Sequence, residues 1–309
     1  LLIDAAPASV RSVDIKGWMP LHCFCRNKTI DEASALEILE LLKEKCPEAV
    51  RHATNNNGEL PVHIAGGWGR RSPEFCSNLI EAYPGSERVT DANGLLPLHW
   101  ACSYNTRATV EYLYKLYPDA IHQTTTSGKY PIHTAIMGVE HRDNPLAAVG
   151  VVEYLLDCDP NVTLQRGEGK KSLLHFACQY DSNIHAGLEI IKEIYDAYPE
   201  AIEDSIIAST IHRYHQEVQA FVISQRVYSS QAKNHRLMMT PDDNGQLPLH
   251  TALQHNVRLG SIKLLVKGNP SAIRNIDINF ALPLHVACQH HSSAAVIQYL
   301  VGLDTSILD

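Results

Sequence analysis

The stretch "LPLHWAC", residues 96–102, decides how the chain is read. Proline suits the first helical position, whose N–H has no partner within the helix. Apolar residues follow, and one polar residue, His99, intrudes. A lone histidine in such a setting is a metal ligand, a general base or a hydrogen-bonded piece of architecture. The phrase recurs as "MPLHCFC" from Met19, "LPVHIAG" from Leu60, "YPIHTAI" from Tyr130, "SLLHFAC" from Ser172, "LPLHTAL" from Leu247 and "LPLHVAC" from Leu282. Its histidines are His22, His63, His99, His133, His175, His250 and His285, at spacings of 41, 36, 34, 42, 75 and 35 residues.

Two further markers alternate with the first. One is an apolar stretch ending in proline, as in "YLYKLYPDAI" (112–121) or "LLVKGNPSAI" (264–273). The other is a turn such as "DIKG" (14–17), "NNNG" (55–58), "DANG" (91–94) or "DDNG" (242–245), whose Asp, Asn and Gly supply turn chemistry. Each unit reads as turn, short helix, connection, second short helix and proline stop. In "TVEYLYKLYPDA" (109–120), Val110, Leu113, Tyr114 and Tyr117 recur at helical spacing before Pro118. Helices of about ten residues are marginal alone in water. They need neighbours to stack on, which is the logic of a solenoid.

This pattern resembles the ankyrin repeat, whose units of about 33 residues carry a turn, a T-P-L-H-x-A phrase and two helices. The resemblance covers nearly the whole chain in seven copies. It implies an all-α solenoid of stacked helix-turn-helix units, one ankyrin-repeat domain over residues 1–309. In that family the threonine opening the phrase helps hold the histidine and cap the helix. Here that place holds Leu, Met or Tyr, and only Ser172 keeps a hydroxyl. Leucine is a poor N-cap. His99, at the third helical position, has a ring that could reach back to an orphan backbone N–H, as the polar member of a capping box does.

The metal alternative has some support, because His22 and Cys25, His99 and Cys102, His175 and Cys178, and His285 and Cys288 each stand one helical turn apart. Two ligands do not close a tetrahedral zinc site. His63, His133 and His250 lack the cysteine. The histidines are therefore read as architecture, with no metal and no cofactor. The cysteine position also holds Gly66, Ile136 and Leu253, which marks a packing position rather than a cross-link and fits a reducing compartment.

Composition narrows the function classes. The chain has 309 residues, 45% apolar and 19% charged, an ordinary foldable composition. Its 26 basic against 34 acidic residues argue against nucleic-acid affinity, which is driven by phosphate neutralisation. No apolar run reaches the roughly 18–20 residues of a membrane span, and the start reads as no signal peptide. An intracellular, cytoplasmic location is expected. Repeats cut at both ends, and a start without methionine, suggest a piece of a longer protein.

From Pro118, Pro160 or Pro270 to the next motif histidine the distance is 15 residues, but from Pro199 to His250 it is 51. The extra segment, about 205–240, has an amphipathic helical pattern through Ile207, Ile211, Tyr214, Val218, Phe221, Val222 and Val227. It is locally basic, with Arg213, Arg226, Lys233 and Arg236 against Glu217. A helix packed on the array is the preferred reading, and a partner-binding arm is the alternative. Smaller insertions follow His22, His133 ("GVEHRDNPLA") and His175, and Phe280 stands where a turn glycine is usual.

No catalytic motif emerges: there is no Walker loop, GxSxG, HExxH or CxxC pair, and "GEGKKS" (167–172) lacks phosphate-loop spacing. The resemblance points to a surface instead, because ankyrin arrays usually contact partners through turn tips and the exposed side of the first helix. Carried onto this sequence, those positions include Trp18, Trp68, Asn93, Tyr104, Gln179, Tyr180, Asn244, Gln254, His255, Gln289 and His290. One column reads Trp68, Tyr104, Tyr180, His255 and His290, with Gly138 as a gap that a partner side chain could fill. Aromatic residues carry interfaces, although periodic rings also pack on one another. The expectation is a non-catalytic protein-interaction scaffold or adaptor, with a protein partner and no small-molecule substrate. The alternative is a regulatory ankyrin domain of a larger enzyme or signalling protein, with its catalytic region outside these residues.

Overall fold

The computed structural model describes residues 7–167, 171–180 and 183–305. Residues 168–170 of the "GEGKKS" loop, and the outermost residues of the partial end repeats, lie outside the described residues. Every regular element among the described residues is helical and none is a strand.

Among the described residues, seven helix pairs follow the chain: α1 (Pro20–Arg26) with α2 (Glu32–Lys45), α3 (Pro61–Gly66) with α4 (Pro73–Ala82), α5 (Pro97–Tyr104) with α6 (Arg107–Leu116) and α7 (Pro131–Met137) with α8 (Ala147–Cys158). Then come α9 (Leu173–Cys178) with α10 (Ile184–Ala197), α14 (Pro248–Gln254) with α15 (Leu259–Gly268) and α16 (Pro283–Gln289) with α17 (Ala294–Thr305). Between α10 and α14 stand α11 (Ser205–Thr210), α12 (Gln216–Lys233) and α13 (His235–Met239).

In five units the proline after the second helix does more than stop it. Pro47, Pro118, Pro160, Pro199 and Pro270 each open a five-residue 3₁₀ helix. The residue before the proline is driven out of the α region by the proline ring: Cys46, Tyr117, Tyr198 and Asn269 all sit near φ −147 to −141°, ψ 73 to 85°. The sequence reading of a plain stop is corrected on this point. A third short element closes the unit and carries the chain back toward the next turn.

Two compact units divide the chain. The first comprises residues 1–176 with 185–190, the second 177–184 with 191–309. In the first unit, α1 packs on α3, α3 on α5 and α5 on α7, while α4 packs on α6 and α6 on α8. Leu21, Leu39, Ile64, Phe75, Leu98, Leu113, Ile132 and Leu155 fill the space between them. Turn tips are joined in series by single backbone hydrogen bonds: Asn55 N–H to Lys16 O at 3.1 Å, Ala92 N–H to Asn57 O at 2.7 Å and Thr126 N–H to Asn93 O at 2.9 Å.

In the second unit α14 packs on α16 and α15 on α17, and the tips are joined by Ile278 N–H to Asn244 O at 3.1 Å. Leu249, Leu253, Ile262, Leu265 and Val286 lie in its core. The insertion is folded here as a packed helix. Val218, Phe221 and Val222 of α12 are buried, with Phe221 edge-on to Tyr195 at 5.6 Å. The single amphipathic pattern breaks at Tyr214 and His215, which are extended, so α12 begins afresh with His215 as its N-cap. Two of the basic side chains are tied to the segment before the insertion: Arg226 donates to Ile202 O at 3.0 Å, and Lys233, itself exposed, pairs with Glu203 at 3.1 Å. Val227 does not join the buried side and stays half exposed.

Candidate protein-binding surface

Six of the seven recurring histidines share one contact, while at the seventh the His175 N–H donates to Ser172 Oγ at 3.4 Å. The first motif residue is the N-cap, extended and without a side-chain cap. Histidine Nδ1 accepts the N-cap N–H in its place: Met19 to His22 at 3.2 Å, Leu60 to His63 at 3.0 Å, Leu96 to His99 at 3.1 Å, Tyr130 to His133 at 3.4 Å, Leu247 to His250 at 3.2 Å and Leu282 to His285 at 3.0 Å. In three of these histidines the other nitrogen reaches the residue that ends the following 3₁₀ element. His22 Nε2 lies 3.0 Å from His52 O, His63 Nε2 3.0 Å from Val89 O and His250 Nε2 3.1 Å from Asn275 O. Only the neutral ring protonated at Nε2 makes both bonds.

Burial pushes the pKa of His22, His63, His99 and His133 down to about 4, and lowers that of His250. His175 is also buried, whereas His285 is exposed. Among the described residues, no group of three or more His, Cys, Asp or Glu side chains is placed to hold a metal ion. Burial raises the thiols of Cys76, Cys102 and Cys178 to about 12, and Cys25 also upward, which suits packing and not reactivity.

In the first unit the turns and the first helices bring aromatic rings together. Trp18 stacks on Trp68 at 6.5 Å, and Trp68 meets Tyr104 edge-on at 6.4 Å. Trp100 stands behind both, 5.0 Å from Trp68 and 5.8 Å from Tyr104. Trp100 Nε1 donates to Asp91 Oδ2 at 3.1 Å, while Asp91 Oδ1 accepts the N–H groups of Asn93 and Leu95 and so fixes the turn. Gly67 leaves room for this arrangement, since a Cβ there would fall 2.7 Å from the Trp100 ring. Trp18, Trp68 and Tyr104 remain half-buried, each with an accessible face or edge.

The expected gap at Gly138 is absent. A Cβ at Gly138 would lie 2.7 Å from Ser103 O, so the glycine is there for close approach to the end of α5. The loop after it swings His141 onto Tyr104, with ring centroids 4.8 Å apart. His141 comes from the insertion "GVEHRDNPLA", and column alignment of repeats has no place for an inserted residue. The same loop sends Arg142 into the interior, where it donates to Cys102 O at 2.7 Å and to Asn105 O, capping α5. The connection between α3 and α4 supplies an equivalent in Arg71, which donates to Phe24 O of α1 at 3.2 Å.

Asn93 is exposed at its turn tip. In the second unit Asn244 holds the corresponding tip, exposed, while Gln254 ends α14 and Gln289 ends α16. His255 and His290 are exposed C-caps of those helices, and His290 O accepts from Asn256 Nδ2 at 3.2 Å. Gln179 is exposed and Tyr180 half-buried just beyond α9.

Beside the ring row of the first unit lies a depression of about 540 Å³ whose lining includes Arg26, Lys28, Trp68, Arg70, Tyr104 and His141. Arg26 stands over Trp68 at 5.1 Å and over Trp18 at 5.9 Å. Sequence reading missed Lys28 and Arg70 because they sit in connections, outside the repeating phrase. No helix among the described residues is long and apolar enough to cross a membrane. No protein-family model matches the chain, and no curated protein matches it.

Proposed function

We propose that the chain is an ankyrin-type array serving as a non-catalytic scaffold that binds a protein partner across its turn tips and first helices. One observation carries this reading: Trp18, Trp68, Tyr104 and His141 form a continuous row of partly accessible rings beside tips held in series. Rings fixed by mutual packing lose little side-chain freedom on binding, which favours them as interface anchors.

A photo-cross-linking residue at Asn93, on a turn tip, and another at Lys115, on the exposed side of α6, test the reading in extracts of the native source. Adducts to a defined protein from position 93 and none from 115 are expected. Equal labelling from both positions, or none from either, would overturn it.

A further inference from the structure

We infer that the depression between α1 and the Trp68–Tyr104–His141 rings receives an acidic segment of a partner protein, with one aromatic or large aliphatic side chain among its carboxylates. The inference rests on the scaffold reading above and names the chemistry of the occupant.

Charge carries the argument first. The chain as a whole has a formal net charge of −8, yet Arg26, Lys28 and Arg70 converge on one depression. Arg70 is paired with Asp143, and Arg71 below it with Glu32. Among the described residues Arg26 and Lys28 have no carboxylate within ion-pair distance. Burial lowers the pKa of Lys28, and repulsion from Arg70 and Arg26 adds to this while Asp143 opposes it. The buried carboxylate of Glu59 also feels Arg26, but it is held by Asn57 and Thr54. Two cations thus stand crowded and unpaired at the surface of an acidic chain.

Geometry adds a second reason. Arg26 stands over two indole rings, 5.1 Å from Trp68 and 5.9 Å from Trp18, while remaining exposed to solvent. A guanidinium held this way has already lost much of its freedom and offers a planar fork to a carboxylate. The neighbouring ring edges of Trp68 and Tyr104 supply an apolar wall. A depression of about 540 Å³ has room for a side chain or two and their backbone. Aromatic rings with cations also suit single-stranded nucleic acid. A polyphosphate chain needs a continuous positive track, however, and here Asp143, 92% exposed, interrupts the rim.

The test uses the chain as it stands and a fluorescein-labelled random copolymer of glutamate and tyrosine, read by anisotropy at low salt. Poly-lysine and a twenty-residue oligothymidylate serve as comparison probes. Copolymer binding is expected, with a loss of at least tenfold in R26E/K28E at unchanged melting temperature and little response to poly-lysine. If the double variant melts early, K28E alone serves, since Lys28 supports no ring, and a loss of about threefold is expected. Failure of the wild-type chain to bind the copolymer, equal affinity in the reversed-charge variants, or oligothymidylate binding as tight as the copolymer would each overturn the inference. Tip-specific cross-linking from Asn93 together with indifference to the copolymer would remove the acidic occupant and leave the scaffold reading standing.

Discussion

The imidazole of His141 lies flat on the phenol of Tyr104, with centroids 4.8 Å apart and planes 13° from parallel. Tyr104 is thereby enclosed on three sides, by His141, Trp100 and Trp68. This changes what a substitution at Tyr104 reports. Tyr104→Ala should cost about 2–4 kcal/mol in urea unfolding, somewhat below the roughly 3–5 kcal/mol of a core aromatic ring because Tyr104 is half-buried. His141→Ala should cost about 1 kcal/mol, the worth of one aromatic pair. The double variant should show a coupling of about 0.5–1.5 kcal/mol between them. Additive losses would mean that the rings are neighbours without an energetic link. For probing a partner, His141→Ala is the better variant, because it removes surface with the smaller loss of stability.

The ring pair also shows where sequence reading stops. The turns, the helix pairs and the capping reach of His99 follow from short-range chemistry: proline at the first helical position, Asp and Gly in turns, a ring three residues from an uncapped N–H. Those features recur, and recurrence makes them visible. His141, Arg142 and Arg71 act across repeats from the connections, where lengths differ and no column exists. Gly138 read as an empty place because alignment sees only the missing side chain. Space shows the backbone of α5 pressed against it. The 3₁₀ elements were hidden for a different reason: a proline that ends one helix and a proline that starts another look the same in one dimension.

Acid should unfold the array through its histidines. Burial holds His22, His63, His99 and His133 near a pKa of about 4 in the folded chain, against about 6.5 when unfolded. As pH falls, the unfolded chain therefore takes up protons first. Stability is full above about pH 6.5, is lost between about 6.5 and 4, and levels off below. Each such ring contributes a slope of about 1.4 kcal/mol per pH unit inside that window. Urea midpoints measured from pH 7.5 to 5 should fall accordingly, and His63→Gln should make the fall shallower. A midpoint unchanged down to pH 5 would show that the rings are not held neutral by the fold.

Two members of the motif series, His63 and His285, differ in what their rings hold. His63 is buried and bonded at both nitrogens, to Leu60 N–H and Val89 O, each at 3.0 Å. His285 is exposed, with its Nδ1 on Leu282 N–H at 3.0 Å. His63→Ala leaves buried groups unpaired and should cost about 2–4 kcal/mol. His285→Ala loses a bond that water can replace and should cost about 0.5–1 kcal/mol. Equal costs in chemical denaturation would assign the stabilisation to ring packing rather than to hydrogen bonding.

Phe280 occupies the one described turn of this type whose left-handed position is not glycine. Gly17, Gly58, Gly94, Gly128 and Gly245 have φ between 65 and 76°, and Phe280 has φ 59°. Its N–H still closes the turn on Asp277 O at 3.0 Å, as Gly94 does on Asp91 O at 3.0 Å. The ring is 78% exposed and recovers little of the strain by packing. A residue with a Cβ loses about 1–2 kcal/mol in this conformation, while glycine adds back about 0.5–1 kcal/mol of unfolded-state entropy. Phe280→Gly should therefore stabilise the chain by about 0.5–1 kcal/mol. Phe280→Ala separates the causes, since it removes the exposed ring but keeps the Cβ and its strain. The glycine variant should melt higher than the parent and the alanine variant should not. If alanine gains as much as glycine, the exposed ring and not the backbone is the source of the instability.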